Sequence, residues 1–372
     1  MKKIAILSDA DPTDRRSWSG TQYSVYQQLS KYYEIDVYVT DTSWAFRIDR
    51  LLFKIITLSH GILRLGLLNS YMSSRKVDKI LSKKSYAAAF VFGFENTPFI
   101  KNKTNTPILF YIDGTYHQMA GYSFEANRIA DKIGEFIQKK CFEHTTVNLA
   151  ASKWTIKDII EQYGISEDRC VLCPFGANTE IVETKHDEHS DSINLVFAGT
   201  NWINKGGDIA IDCLRVLRQI DKSHNYKLYL IGSAPDYDIE DKDIISYGYL
   251  DRKDEKQNQL LISTFSAGDI FILPTKMECA GIVFCEASGY GLPIVTYDTG
   301  GIADYVINGY NGFRLKPGST GEDFAKTILE MLSHPDMMNL MRENGKKLYQ
   351  DVLNWDVAGK TIHDTIEKIT ER

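Results

Sequence analysis

Short apolar runs alternate with amphipathic stretches along the chain. Apolar runs of about four to eight residues are typical of buried strands, whereas apolar residues recurring every three or four positions predict helices. The alternation predicts an α/β fold with two doubly wound parallel sheets, because helices on both faces bury such strands. The predicted strands are residues 4–7, 35–40, 87–94, 108–112 and 146–150 in the first half, and 194–199, 227–232, 244–250, 270–273 and 292–297 in the second.

Length and charge narrow this picture. A chain of 372 residues exceeds one ordinary domain, which predicts two α/β domains, residues 1–182 and 192–354. The charged stretch 183–191 contains no apolar residue and is the predicted linker between them. The net charge of −6 argues against a nucleic-acid-binding protein.

The N-terminal run and the cysteines bear on the cellular compartment. Residues 4–7 are followed at once by Asp9 and Asp11, so they predict a first strand and not an export signal. No window approaches the ~18 apolar residues of a transmembrane helix. Only Cys170 and Cys173 are spaced like metal ligands, and buried reduced thiols are favoured over zinc because no second pair or histidine lies nearby. These features predict a cytoplasmic protein.

The stretch 269–301 concentrates the candidate chemistry. A strand-like run ends at Pro274, a helix-compatible segment follows, and two carboxylates, Glu278 and Glu286, are separated by seven residues. A helix beginning near Gly281 points its first unpaired amides at the crevice above the strand ends, which suits a phosphate or a polar sugar edge. Glu278 is predicted to face the same crevice, and Glu286 to accept two hydroxyl hydrogen bonds, as from a ribose.

This array resembles the donor-site signature of the retaining, family-4 glycosyltransferases, which have the GT-B fold. The resemblance implies two Rossmann-like domains facing a central cleft, and a last helix, residues 355–372, that crosses back to the first domain. It also implies a nucleotide-sugar donor held mainly by the second domain, and no metal or other cofactor. The residues that match the signature are Glu278, Glu286, Ala287, Gly291, Pro293, Gly300 and Gly301.

The resemblance assigns further donor-binding roles. Lys205, which precedes two glycines, matches the family lysine that contacts the donor diphosphate. The arginine that often accompanies it is missing, since Thr200 or Asn201 stands in its place. One cation and helix-end amides must then stabilise the leaving group, or an arginine from elsewhere contributes. The implied donor-binding residues are Gly20, Lys205, Tyr249, Glu278, Ala280, Gly281, Ile282, Val283 and Glu286.

In the first domain the resemblance points to two loops. Gly20 lies in the loop after the first strand, where the lack of a Cβ lets the backbone approach the pyrophosphate or the acceptor closely. The family often has a histidine directly after the strand predicted at 108–112; here that position is Asp113, and His117 follows four residues on. Which of the two contacts the sugar or acceptor stays open. The implied catalytic set is Lys205, Glu278, Asp113 and His117.

Residues 44–84 form a basic, apolar segment. They carry nine Lys or Arg against two acids, a local charge of +7 in a protein of −6. One or two amphipathic helices lying on an anionic membrane surface explain the pattern, which would place the protein peripherally on the inner face of the cell membrane. A helix pair packed on the sheet, with solvated lysines, explains it without lipid.

The resemblance therefore implies a retaining glycosyltransferase of the hexosyltransferase type. It would move a sugar from a UDP- or GDP-sugar to a hydroxyl of a glycan or glycolipid acceptor of the cell envelope, and the departing phosphate would take the acceptor proton. A non-catalytic sugar-nucleotide-binding or scaffold protein and a GT-B-fold epimerase remain alternatives. A nicotinamide dehydrogenase is disfavoured because no Gly-x-Gly-x-x-Gly follows the first strand.

Overall fold

The computed structural model describes residues 1–58, 61–125, 127–183 and 192–371. Its strands are β1 (Lys3–Ser8), β2 (Glu34–Val39), β3 (Ala88–Val91), β4 (Ile108–Ile112), β5 (Val147–Ala150), β6 (Cys170–Leu172), β7 (Ser192–Gly199), β8 (Asn225–Gly232), β9 (Ile244–Gly248), β10 (Ile270–Leu273), β11 (Ile294–Tyr297) and β12 (Gly312–Leu315). Its helices are α1 (Thr21–Leu29), α2 (Ser43–Ile56), α3 (Leu67–Leu81), α4 (Tyr116–Met119), α5 (Arg128–His144), α6 (Lys153–Glu161), α7 (Trp202–Lys205), α8 (Gly207–Ile220), α9 (Glu255–Ser266), α10 (Ile282–Gly289), α11 (Gly321–Leu332), α12 (Pro335–Asp351) and α13 (Trp355–Thr370).

The chain divides into two compact units. The first is Met1–Pro174 with Trp355–Arg372, and the second is Phe175–Asn354. The C-terminal helix α13 therefore belongs to the first unit, where it packs on α1. Residues 175–182, which the sequence assigns to the first domain, belong to the second unit. Of the predicted linker 183–191, all but Glu183 lies outside the described residues.

The first unit contains a parallel sheet in the order β2-β1-β3-β4-β5-β6. Strands β3, β4 and β5 are buried along their whole length, which accounts for the continuous apolar runs that predict them. The run predicted at 87–94 shortens to Ala88–Val91, and the chain turns at Gly93, whose φ is +86°. Helix α5 begins at Arg128, where the Asn127 side chain caps its first turn.

The second unit contains a parallel sheet in the order β12-β11-β10-β7-β8-β9. Strands β10 and β11 are fully buried, and their observed bounds lie within two residues of the predicted ones. Two parallel sheets with this connectivity confirm the predicted pair of Rossmann-like domains.

Helix α9 is absent from the sequence prediction. It begins after Asp254, whose side chain accepts a hydrogen bond from the Gln257 N–H, and it buries Leu261, Ile262 and Phe265. An Asp followed three residues later by Gln is a helix-start signal, so the local sequence did contain the information.

Within the described residues, no helix is both long enough and apolar enough to cross a bilayer.

Candidate active site

The sheet of the second unit reverses its strand order between β7 and β10. If the strands of this unit are numbered 1 to 6 along the chain, they lie side by side in the order 3-2-1-4-5-6, starting from β9. This is the strand order of dinucleotide-binding folds. Such sheets bind ligands at the carboxyl ends of the strands, in the crevice at this reversal. Lys205 follows β7 and Glu278 follows β10, so both catalytic candidates of this unit lie at the reversal point.

The Lys205 ammonium and the Glu278 carboxylate form an ion pair through Nζ and Oε2. Their side chains are 20% and 16% exposed, so the pair is partly desolvated and still accessible. Gly199 makes room for the lysine, since a Cβ at residue 199 would lie 2.7 Å from Lys205 Cγ. The structure thus joins a cation suited to phosphate with an anion suited to sugar hydroxyls.

Gly206 sets how closely the loop after β7 approaches the end of β10. Its φ is +74°, and a Cβ there would lie 2.2 Å from the carbonyl oxygen of Pro274. Beside this contact the Lys276 N–H donates to the Asn204 carbonyl at 2.7 Å. Only glycine combines a positive φ with such a close approach to the Pro274 carbonyl. The position of Lys205 therefore depends on Gly206, the next residue.

Helix α10 presents its N-terminus directly after Glu278. Gly281 is the N-cap, and because it has no side chain it does not cap the helix. The Gly301 N–H donates to the Glu278 carbonyl at 3.2 Å, so this signature glycine supports the loop that carries Glu278. Uncapped amides at a helix start attract anions, and here they belong to Ile282 and Val283, two of the donor-binding candidates.

Glu286 lies on α10 and is only 2% exposed. Its Oε1 accepts hydrogen bonds from the Arg252 Nη2 at 2.8 Å, the Thr179 hydroxyl at 2.8 Å and the Asn178 N–H at 3.3 Å. These donors come from two distant segments, which is why sequence reasoning did not identify them. Arg252 lies three residues after Tyr249, one of the donor-binding candidates, which is 66% exposed.

Thr200 and Asn201, where the resemblance would place an arginine, lie at the start of helix α7. Asn201 caps helix α7, its side chain accepting the Asn204 N–H at 3.0 Å. Thr200 lies directly before this cap. The loop therefore begins a helical turn that ends in Lys205.

In the first unit, the loop after β1 adopts three successive left-handed conformations. Trp18, Ser19 and Gly20 have φ values of 46°, 56° and 92°. Non-glycine residues with positive φ are uncommon and often occur at functional sites. Gly20 is then the N-cap of α1, so its lack of a side chain serves the backbone conformation.

The loop after β4 carries the other two catalytic candidates, Asp113 and His117. His117 Nδ1 lies 2.8 Å from Asp158 Oδ1, and Asp158 also accepts a hydrogen bond from the Thr115 hydroxyl. The Asp113 carbonyl accepts the Thr155 hydroxyl at 2.6 Å. Asp158 thus orients the His117 ring, a partnership across 41 residues that no local motif signals.

Sequence reasoning also missed a carboxylate at the strand reversal of the first sheet. Glu95 follows β3 and Asp9 follows β1, and these strands are neighbours at that reversal. Burial, together with the neighbouring Asp9 carboxylate, raises the pKa of Glu95 to about 7. Perturbed carboxyl groups at such an edge are candidates for binding or proton transfer.

The described residues of the basic segment 44–84 contain α2, from residue 44 onwards, and α3. The inner side of α2 packs through Phe46 and Phe53 against Leu63, Ala130 and Ile133. The outer side is an exposed apolar stripe, with side chains between 41% and 70% exposed. The residues of this stripe are Trp44, Ile48, Leu51, Leu52, Ile55 and Ile56.

Residues 178–348 match the family model described as Glycosyl transferases group 1. An uncharacterised glycosyltransferase of Methanocaldococcus jannaschii is 23% identical over 236 residues, covering 62% of this chain and 63% of that protein. The capsular polysaccharide biosynthesis glycosyltransferase CapM of Staphylococcus aureus is 26% identical over 208 residues, covering 54% and 52%. Both matches span less than two thirds of the relative's length.

Solved structures share the fold along the whole chain. Sucrose-phosphate synthase from Thermosynechococcus elongatus superposes with a TM-score of 0.70 at 14% identity, covering 100% of both chains. Anabaena HepE in complex with UDP-glucose gives a TM-score of 0.66 at 14% identity, covering 99% of this chain and 100% of that one. At this identity the likeness establishes the GT-B fold.

Proposed function

We propose that this chain, whose residues 178–348 match the family model of the glycosyl transferases group 1, transfers a hexosyl group from a nucleotide-sugar donor to a hydroxyl acceptor with retention of configuration. The observation that carries the proposal is the Lys205–Glu278 pair at the strand reversal, beside the uncapped start of α10. The arrangement offers positive charge for a diphosphate and a carboxylate for a sugar.

Donor binding separates the two charges of this pair. Lys205 turns to the diphosphate, which the first amides of α10 also contact, and Glu278 accepts hydroxyl hydrogen bonds from the sugar. The backbone of Ala280, Gly281, Ile282 and Val283 holds the sugar edge, while Glu286 holds the ribose and the turn at Tyr249 meets the base. UDP is the favoured nucleotide, since HepE with the same fold was solved with UDP-glucose.

The chemical step exchanges one bond at the anomeric carbon. The bond to the donor phosphate oxygen breaks as the bond to the acceptor oxygen forms on the same face, and the departing phosphate oxygen takes the acceptor proton. Lys205 and the helix amides stabilise the charge that develops on the diphosphate. No metal ion is required, because these groups perform that task.

The first unit supplies the acceptor site in this proposal. The His117 ring, oriented by Asp158, and Asp113 contribute polar groups after β4. Gly20 contributes a close backbone approach after β1. The acceptor is a glycan or glycolipid of the cell envelope, a class supported by the similarity to a capsular polysaccharide glycosyltransferase.

A panel of UDP-, GDP- and ADP-sugars tests the donor. Thermal shift identifies the bound nucleotide class, nucleotide release measures slow turnover, and NMR of the product with an added acceptor reports the anomeric configuration. We expect one donor class to raise the melting temperature and to be turned over with retention. Binding without turnover would support the scaffold alternative, and a changed donor sugar without acceptor would support the epimerase.

We also propose that α2 lies on an anionic membrane. Its exposed apolar stripe has the spacing of one helix face, and the cations Arg47, Arg50 and Lys54 are exposed on the same helix. The lysines of α3 and beyond are less suited, since Lys76 donates to the Asp41 carbonyl and Lys84 pairs with Asp36 at 2.8 Å. The proposed membrane-binding surface is therefore limited to α2 and does not include the whole of segment 44–84.

Vesicle sedimentation tests this surface with two variants. The double variant Leu51→Glu/Ile55→Glu should abolish binding to phosphatidylglycerol-containing vesicles. The double variant Arg47→Glu/Arg50→Glu should weaken this binding. Vesicles of pure phosphatidylcholine should bind the wild type and both variants poorly. Leu340→Glu, at an exposed apolar residue of α12, is the matched control and should bind as wild type. Equal sedimentation of wild type and Leu51→Glu/Ile55→Glu would refute the membrane surface.

A further inference from the structure

The two oxygens of the Glu286 carboxylate have unequal surroundings. Oε1 accepts three hydrogen bonds, from Arg252, Thr179 and Asn178. Within the described part of the chain, no donor contacts Oε2. Three donors saturate one oxygen and fix the plane of the carboxylate, so Oε2 is the oxygen that remains for a ligand.

Arg252 supplies the charge that this buried carboxylate needs. An ionised carboxylate removed from water is costly unless a cation and hydrogen bonds replace its hydration. Arg252 pairs with Glu286 through Nη2 at 2.8 Å, and among the described residues it is the cation that does so. Its own side chain is 36% exposed, so the buried carboxylate is paired with a cation that solvent still reaches.

The position of Arg252 in the fold distinguishes it from the arginine that the family resemblance expects. That arginine would stand at Thr200 or Asn201, in the loop of Lys205 at the end of β7. Arg252 instead follows β9, the edge strand of the sheet, two neighbours away from β7. Its ion pair is with the candidate ribose carboxylate and not with the Lys205–Glu278 pair.

We propose that Arg252 is a positioning residue for the donor ribose: it holds Glu286 Oε1 so that Oε2 accepts the ribose hydroxyls. This inference rests on the proposed function, because it assumes a nucleoside diphosphate as the bound group. The guanidinium acts through Glu286 and does not itself contact the phosphates.

Calorimetry with two nucleotides tests the assignment on the full chain. UDP carries both ribose hydroxyls and 2′,3′-dideoxy-UDP carries neither, so a residue that acts through the ribose affects only the first. We expect Arg252→Ala to weaken UDP binding by about 10- to 100-fold and to leave dideoxy-UDP affinity within about 2-fold of wild type. Arg252→Lys, which retains the charge, should recover most of the UDP affinity.

Controls separate this effect from damage to the fold. Arg215→Ala removes another arginine paired with a carboxylate, Asp212 on α8, and should bind both nucleotides as wild type. Unchanged melting temperatures show that each variant is folded.

Two results would overturn the inference. An equal loss for UDP and dideoxy-UDP would mean that Arg252 contacts the phosphates or base directly, and an unchanged UDP affinity in Arg252→Ala would mean that it has no role in donor binding. Failure of the wild type to bind any nucleotide of the donor panel would instead refute the proposed function. If the donor panel shows that the protein binds guanine nucleotides, GDP and 2′,3′-dideoxy-GDP replace UDP and 2′,3′-dideoxy-UDP in this experiment.

Discussion

The carboxyl edges of the two sheets differ in how they treat their carboxylates. In the second unit the two glutamates of the donor-site signature each have a cation: Glu278 pairs with Lys205, and Glu286 pairs with Arg252. In the first unit Glu95 lies beside another carboxylate, Asp9, and its pKa is raised to about 7. Paired cations suit a polyanionic donor, whereas carboxyl groups suit the neutral hydroxyls of an acceptor.

The largest effect is expected from removing the cation of the second unit. Lys205→Ala should lower kcat/KM for the donor by about 100- to 1,000-fold, because a preorganised charge on the leaving group is lost. Lys276→Ala, at an exposed lysine after the same strand β10 that carries Glu278, is the control and should stay within about 2-fold. Steady-state nucleotide release measures both. If Lys205→Ala kept half of the wild-type kcat/KM, the cation at the carboxyl edge of the second sheet would not serve the donor, and the proposed difference between the two sheets would be wrong.

The next effect is a pH dependence confined to the first unit. The pKa of Glu95 is raised in the folded state from 4.5 to about 7, so folding favours its protonated form. Its contribution to stability is complete below the unfolded pKa and is lost as the pH rises towards 7. The free energy of unfolding of wild type should therefore fall, relative to Glu95→Gln, by about 2–3 kcal/mol between pH 4.5 and 7.

Denaturant unfolding across this pH range measures the difference. Asp9→Asn should reduce the effect, because the neighbouring charge is one of its two main causes. Parallel pH profiles for wild type and Glu95→Gln would show that Glu95 ionises normally and that the two edges are electrostatically alike.

The smallest effect concerns the backbone that builds the ion pair. Gly206 and Gly309 share a φ of +74°, but a Cβ at residue 206 would meet the Pro274 carbonyl at 2.2 Å whereas nothing lies within 4 Å of one at residue 309. Gly309→Ala should cost about 1 kcal/mol through its conformation alone. Gly206→Ala should cost ~1–3 kcal/mol more, because the loop after β7 must move away from β10.

Urea unfolding of the two alanine variants gives this difference directly. Donor affinity should fall only in Gly206→Ala, since Lys205 moves with its neighbour. Equal unfolding free energies and equal donor affinities would mean that Gly206 does not position the pair.

The sequence predicts the fold well because its strands are buried on both faces and read as continuous apolar runs. It also identifies Lys205 and Glu278 from local motifs, and the structure brings these two residues into contact. The ribose role of Glu286 and the sugar role of Glu278 stay predictions.

The partners of these residues could not be predicted, because they are distant in sequence. Arg252 lies 34 residues and Thr179 107 residues from Glu286, and Asp158 lies 41 residues from His117. Such pairings follow from strand order and loop approach, which a single sequence does not reveal. The same limit applies to α2, where only the packing shows which apolar residues stay exposed.

Calorimetry with UDP and uridine tests the central claim that the Lys205–Glu278 site binds a diphosphate. The phosphates should make UDP bind wild type about 100-fold more tightly than uridine, and Lys205→Ala should lose most of that preference while its uridine affinity is unchanged. A Lys205→Ala variant that retains the full preference for UDP would place the diphosphate elsewhere and contradict the account.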